Sequence, residues 1–290
     1  MANPDKRVAE NDPGDFFVDT TCIDCDACRQ LAPAVFGEAA EYSFVRSQPA
    51  SAADRRDAIR ALLSCPTGSI GCTGSDDPKA AMDDFPLIVE EPVYYCGFNS
   101  PKSYGSNSYF IRHADGNWLI DSPKFIAPLV RRLEALGGVA HIFLTHRDDV
   151  ADAEKYAKKF GARRIIHQDE LASQPDAEVV LHGEQPSELA PGFLAIPTSG
   201  HTRGHCVLLF ERRFLFTGDH LAWDRHRLQL EAFHDYCWYS WTRQTESMRR
   251  LAEFRFEWVL PGHGQRIRLT AAAMSEHMKT LVDRMRLQRA

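Results

Sequence analysis

The sequence has no apolar run approaching the roughly 18 residues a membrane-spanning helix requires, so no membrane span is expected. Nor does it open on a basic stretch leading into an apolar one. Its start, MANPDKRVAENDPGDF, is polar and acidic, so no secretory signal is expected. Eight cysteines in 290 residues are too few for a disulfide scaffold. These absences together predict a cytoplasmic protein with reduced thiols. Internal repeats and low-complexity segments are missing too. Positive charge is scarce at the front: through Asp84 there are 15 acidic and 8 basic residues, so the net charge of −6 belongs to the first module. That argues against nucleic acid as a partner and suits either a small electron carrier, with an electron-donor reductase docking on the acidic N-terminal domain, or equally a plain solvated surface.

What is present is ordinary globular composition, 44% hydrophobic and 26% charged, in a chain long enough for a small module plus a domain of about 200 residues. Residues 16–20 and 41–47 read as strands and 51–64 as a helix, with Ala58, Ile59, Ala61, Leu62 and Leu63 on its apolar face, stopped by Cys65-Pro66. Residues 73–84 turn small and acidic, as a linker would. Beyond them strands and helices alternate, which predicts α/β layers. The boundaries read as 1–80 for the first domain, an acidic linker to about 86, and 87–290 for the second.

Three thiols, Cys22, Cys25 and Cys28, recur at intervals of three, close enough for one loop to wrap a cube of iron and sulfide. Cys65, followed by Pro66, supplies a fourth thiolate. With only one such set, a single [4Fe-4S] cluster is expected. A structural zinc on the same thiols is the competing reading, although zinc ligands usually come as two separate pairs. The CxxCxxC loop, Leu31 to Phe36 (LAPAVF) and the remote CPTGSI resemble single-cluster bacterial-type ferredoxins over residues 14–72. Asp24 and Asp26 stand where many such proteins carry glycine, and negative charge beside a cluster predicts a low reduction potential.

In the second half, four short segments follow strands and combine His or Asp with Gly: THRDD from Thr145, SGHTRGH from Ser199, FTGDH from Phe216 and LPGHG from Leu260. Any one alone is more often a satisfied histidine in a turn than a ligand. In this order, they resemble the metallo-β-lactamase superfamily. The resemblance implies a four-layer αββα sandwich, following a small α+β ferredoxin-like domain, with a metal site at one edge of the sheets. It implies His146, Asp148, His201 and Asp219 around one divalent ion, and Asp152, His263 and the bridging Asp219 around a second. The first motif departs from the usual pattern. Asp148 replaces its second histidine, and the Asp-His pair appears late, as Asp152-Ala153, with a ligand lost at Ala153. It resembles a plant and bacterial subgroup, with ferredoxin fused to this fold, that reads THRDDVAD and then histidine. Swapping His for Asp shifts preference toward iron or manganese relative to zinc.

Three functions follow from the resemblance. The first is hydrolysis of a small ester- or thioester-like molecule, with Asp152 as catalytic proton acceptor. The second is redox chemistry at iron fed by the cluster. The third is a redox sensor or carrier with a degenerate site, against which His146, His201, Asp219 and His263 all weigh. The expected cofactors are one [4Fe-4S] cluster and one or two divalent ions, iron, zinc or manganese. His205 and His220 are expected to be structural, and the aromatic run from Tyr236 to Trp241 to line a substrate mouth or to pack.

Overall fold

The computed structural model describes residues 2–288, and the chain divides into two compact units, Met1–Ala140 and His141–Ala290. The first unit opens with β1 (Phe16–Val18), α1 (Ala27–Leu31), β2 (Phe36–Glu38), β3 (Ser43–Val45), α2 (Ala52–Ser64) and β4 (Ile70–Cys72). β1 pairs antiparallel with β4, and β2 with β3 in a hairpin. α2 starts where the chain offers a capping box. The Ser51 hydroxyl accepts from the Asp54 amide, and the Asp54 carboxylate accepts from the Ser51 amide. Its buried Ala58, Ile59 and Ala61 pack with Val18, Val35 and Val45. β2 and β4 escaped the sequence reading because each has glycine at its centre, a residue depleted in strands.

Residues 73–84 are built onto α2. α3 (Lys79–Met82) buries Ala81, while Arg55 pairs with Asp76 at 2.5 Å and Arg56 and Arg60 pair with Asp84 at 2.6 and 2.8 Å. The acidic residues that look like linker composition are the partners of the helix's arginines. The unit continues as an antiparallel run of β5 (Leu87–Glu90), β6 (Val93–Tyr95), β7 (Tyr109–Ile111) and β8 (Trp118–Ile120), then α4 (Ala127–Ala135).

The second unit begins with β9 (His141–Phe143), α5 (Ala153–Phe160), β10 (Arg163–His167) and β11 (Val179–Leu181), and β10 pairs parallel with both other strands. β12 (Ser187–Ala190), β13 (Phe193–Pro197), β14 (Cys206–Phe210) and β15 (Phe214–Gly218) follow antiparallel. After a ribbon of β16 (Ala222–Asp224) and β17 (Gln229–Glu231), α6 (Trp241–Leu251) carries the chain to β18 (Trp258–Pro261), parallel to β15. β19 (Ile267–Arg268) and α7 (Ala271–Leu287) close the unit. Val207, Leu209, Leu215 and Val259 pack against Met248 and Leu251 of α6 and Met278 and Leu281 of α7. Such a core holds the strands while their ends remain free to carry polar loops.

Those ends meet for reasons of register. The Cys206 amide donates to the Thr145 carbonyl at 2.8 Å, tying the end of β9 to β14, and the Gly262 amide donates to the Gly218 carbonyl at 2.8 Å, tying the ends of β15 and β18. All four histidine-bearing motifs therefore leave neighbouring strand ends.

Candidate cluster and metal centres

In the first unit, Cys22, Cys25, Cys28 and Cys65 line one small hollow with Val18, Ile23 and Ile70. The Ser43 amide donates to Cys22 Sγ at 3.4 Å and the Ser69 amide to Cys65 Sγ at 3.3 Å. Burial pushes the Cys25 thiol up to about 12, with like charge on Cys65 and Cys22 adding to the effect, and Cys28 rises as well. Four thiols this crowded become thiolates when a cationic centre joins them, so a cluster of iron suits the donor set.

The loop winds through left-handed backbone at Asp24 (φ 56°) and Asp26 (φ 65°), a conformation glycine adopts freely and aspartate is among the few other residues to tolerate. Their charge is not left bare. Arg29, 5% exposed, pairs with Asp24 at 2.5 Å and with Asp26 at 2.6 Å, and donates to Ser43 Oγ at 2.8 Å. One buried cation thus offsets part of the negative charge read from the sequence.

In the second unit, Asp219 is the hub. Its Oδ2 lies 3.6 Å from His146 Nε2 and 3.7 Å from His201 Nε2, and its Oδ1 is 2.8 Å from His263 Nδ1. His146 and His201 meet edge to face at 4.8 Å, and both Nε2 atoms are buried without a hydrogen-bond partner in the protein. An imidazole nitrogen left unpaired in the interior costs free energy unless something else occupies its lone pair, and a metal ion does. Burial pushes His146 down to about 3, keeping it neutral and able to ligate. Burial alone would raise the Asp219 carboxyl, but His263 first, then His146 and His201, hold it well below the ordinary carboxylate range.

Local backbone delivers these atoms. Gly218, at φ +47°, leaves no room for a side chain: a Cβ there would stand 2.5 Å from Thr145 Oγ1 and 2.8 Å from His205 Nε2. A 3-10 turn, Arg147–Asp149, follows His146 and brings two aspartates toward it. Asp148 Oδ2 lies 3.8 Å from His146 Nε2, and His146, Asp148 and His201 offer ligand atoms within 4.8 Å of one another. Asp149 is buried, its Oδ2 3.9 Å from His146 Nδ1, and it forms a second such group with His146 and Asp219. Asp152 belongs to neither of these two groups. It precedes α5 and its Oδ1 pairs with Lys155 at 3.1 Å. Ala153 is fully buried.

One element of the site has no sequence signal. Glu170, buried in the 3-10 stretch Gln168–Ser173, accepts from the Gly204 amide at 2.6 Å and from the Arg147 amide at 3.2 Å, so one carboxylate joins the loop after His146 to the loop after His201. Asp149 reads from the sequence equally as a residue facing the pocket or as a solvated turn residue, and the structure buries it beside His146. His205 and His220 stack at 5.3 Å, with His205 Nδ1 bonded to Thr198 and His220 Nε2 to Ser247, and burial holds both far below the ordinary histidine value. Their other ring nitrogens are also buried without a hydrogen-bond partner; what sets His146 and His201 apart is that their Nε2 atoms face Asp219 Oδ2. The aromatic run splits. Trp241 is packed, whereas Trp238 is 59% exposed with its ring 6.2 Å from that of His201, and the Trp238 and Tyr239 amides both donate to the His201 carbonyl.

The family model of the metallo-beta-lactamase superfamily matches residues 89–281. The chain belongs to the metallo-β-lactamase superfamily. Its sheets and helices have that family's mixed α/β sandwich fold. The 4Fe-4S single cluster domain of ferredoxin I matches residues 18–72, so this superfamily member also carries a [4Fe-4S] domain. Among solved structures it is similar to VMB-1, at 16% identity over 68% of this chain and 95% of that one with TM-score 0.51. It is also similar to TMB-1, at 15% identity over 68% and 95% with TM-score 0.51. The di-iron-bound form of TTHA1623 is a further similar structure, 20% identical over 67% and 98% with TM-score 0.48. No described helix is long and apolar enough to cross a membrane.

Proposed function

We propose that the chain is a metal-dependent hydrolase of ester- or thioester-like small molecules, joined to an electron-transfer [4Fe-4S] module ligated by Cys22, Cys25, Cys28 and Cys65. The observation that carries the hydrolase reading is the pair of orphaned, buried Nε2 atoms of His146 and His201 facing one oxygen of Asp219 while His263 holds the other. In this reading His146, Asp148, His201 and Asp219 hold one divalent ion, and Asp219, His263 and Asp152 hold a second, weaker one. A bound ion supplies Lewis-acid polarisation of the substrate carbonyl and acidifies water. The protein's own groups do the rest. Neutral His146 would give a lone pair, Asp219 would supply carboxylate oxygens, Lys155 orients the Asp152 carboxylate to accept or steer a proton, and Trp238 offers a flat apolar wall. Such a protein works in a reducing cytoplasm, with a reductase docking on the acidic first module.

A second reading has its own observation. Asp148, Asp149 and Asp219 make the donor set around His146 rich in oxygen, which favours iron or manganese over zinc, and an iron site beside an electron carrier suits oxidoreduction. Anaerobic purification, elemental analysis and electron paramagnetic resonance separate the two. Zinc with turnover of a thioester or ester panel supports hydrolysis. Iron beyond four atoms per chain, reducible by one electron and inert toward that panel, overturns it in favour of the second reading.

A further inference from the structure

The cluster loop is touched by a part of the chain that lies outside the ferredoxin match. Gly105 falls within the segment matching the metallo-β-lactamase superfamily and, like the cysteines, within the first unit. A methyl group on its Cα would stand 2.8 Å from Cys25 Cβ, 3.1 Å from Cys25 Sγ and 2.8 Å from Pro66 Cγ. Only a bare α-carbon fits there, and the backbone, at φ +85°, is also one that glycine alone adopts freely.

The turn that presents Gly105 is anchored from its own side. Pro101–Ser103 forms a 3-10 turn, and the Gly105 amide donates to the Ser100 carbonyl at 2.8 Å. Asn99, fully buried, donates from Nδ2 to the Gly105 carbonyl at 2.7 Å and accepts from the Tyr95 hydroxyl at 2.7 Å. Lys124 reaches the Pro66 carbonyl at 3.4 Å, beside Cys65, and its amide donates to the Phe98 carbonyl at the base of the same turn. A satisfied buried network of this kind fixes position, so the contact with Cys25 is built in and not a chance approach.

We propose that residues 100–105 form a fixed lid over the Cys25 side of the cluster, with Gly105 as the positioning residue that lets backbone press against the ligand sulfur. The lid excludes water and dioxygen from that side. A four-thiolate cluster is already anionic, and reduction adds another negative charge. Excluding water disfavours the reduced form and holds the potential down. The inference rests on Cys25 being a ligand, but on no assumption about what the second half of the chain catalyses.

The test uses the full chain, purified anaerobically with its cluster loaded, by redox titration and by the loss of visible absorbance in air. Gly105→Ala and Gly105→Val are expected to raise the potential progressively and to shorten the air lifetime several-fold. Tyr104→Ala, which trims a 74% exposed side chain of the same turn, is expected to change neither. If the glycine variants fail to fold, Asn99→Ser loosens the anchor without adding atoms, and the same two measurements decide. A loaded Gly105→Ala or Asn99→Ser protein with the wild-type potential and lifetime overturns the lid. A Cys25→Ser protein that keeps an unchanged cluster would instead remove the ligand assignment.

Discussion

Glu170 holds two loops with one carboxylate, and the metal site depends on how well those loops are held. Replacing it by Gln keeps the shape but points an amide donor at one of two backbone donors, so the ligand-bearing loops separate slightly. Groups that orient ligands in this way are typically worth about 10–100-fold in metal affinity. Glu170→Gln is therefore expected to weaken the second-half metal by about tenfold or more in chelator competition while the cluster absorbance is unchanged; equal affinity would mean that the bridge is ornamental. At the cluster, Asp24 and Asp26 were readable as negative charges, but Arg29 as their buried partner was not, because nothing in a linear sequence distinguishes a buried arginine from a solvated one. Asp24→Gly/Asp26→Gly removes two negative charges and leaves that cation uncompensated. The variant's potential is expected to lie above the wild type's, and a titration giving an equal or lower value counts against charge as the control.

Among the elements, those with enough length or a distinct cap were legible. α2 has a capping box, an apolar face and a proline stop, and each marks its bounds independently. The strands β2 and β4, each centred on a glycine, and the Glu170 turn carry no pattern that marks them. The short motifs after strands were visible as a constellation, yet the phase of the turn Arg147–Asp149 was not. That phase sets Asp148 and Asp149 toward His146, while Asp152 goes to the head of α5 and to Lys155. Residues 73–84 read as linker because composition registers charge without its partner. Asp84 is held below its ordinary value chiefly by Arg56, with Arg60 adding to it. Its contribution is present above the unfolded carboxylate value of 3.8 and is lost as pH falls through the depressed folded value. Asp84→Asn is expected to cost about 1 kcal/mol near neutral pH, and the gap from wild type in urea denaturation should close on acidification below that value. A gap independent of pH would show that the ion pairs do not fasten this segment.

For the whole molecule, family membership gives the fold and leaves the reaction open, since one fold hosts many chemistries. What narrows it is the presence of two inorganic centres of different kind in one chain: four thiols around an apolar hollow, and a histidine and carboxylate set around Asp219. The first suits electron transfer and the second suits a hard or borderline divalent ion. The composition carried the outline of this division, since the excess acidity lies in residues 1–84, which contain the part that matches a ferredoxin domain, although most of it flanks that part. The central claim is that these centres are separate and that Asp219 is the hub of the second. Elemental analysis of Asp219→Ala beside the wild type tests it most directly. The account predicts that the variant retains four cluster irons and the cluster's visible spectrum and loses the remaining metal; undiminished non-cluster metal in the variant would contradict it.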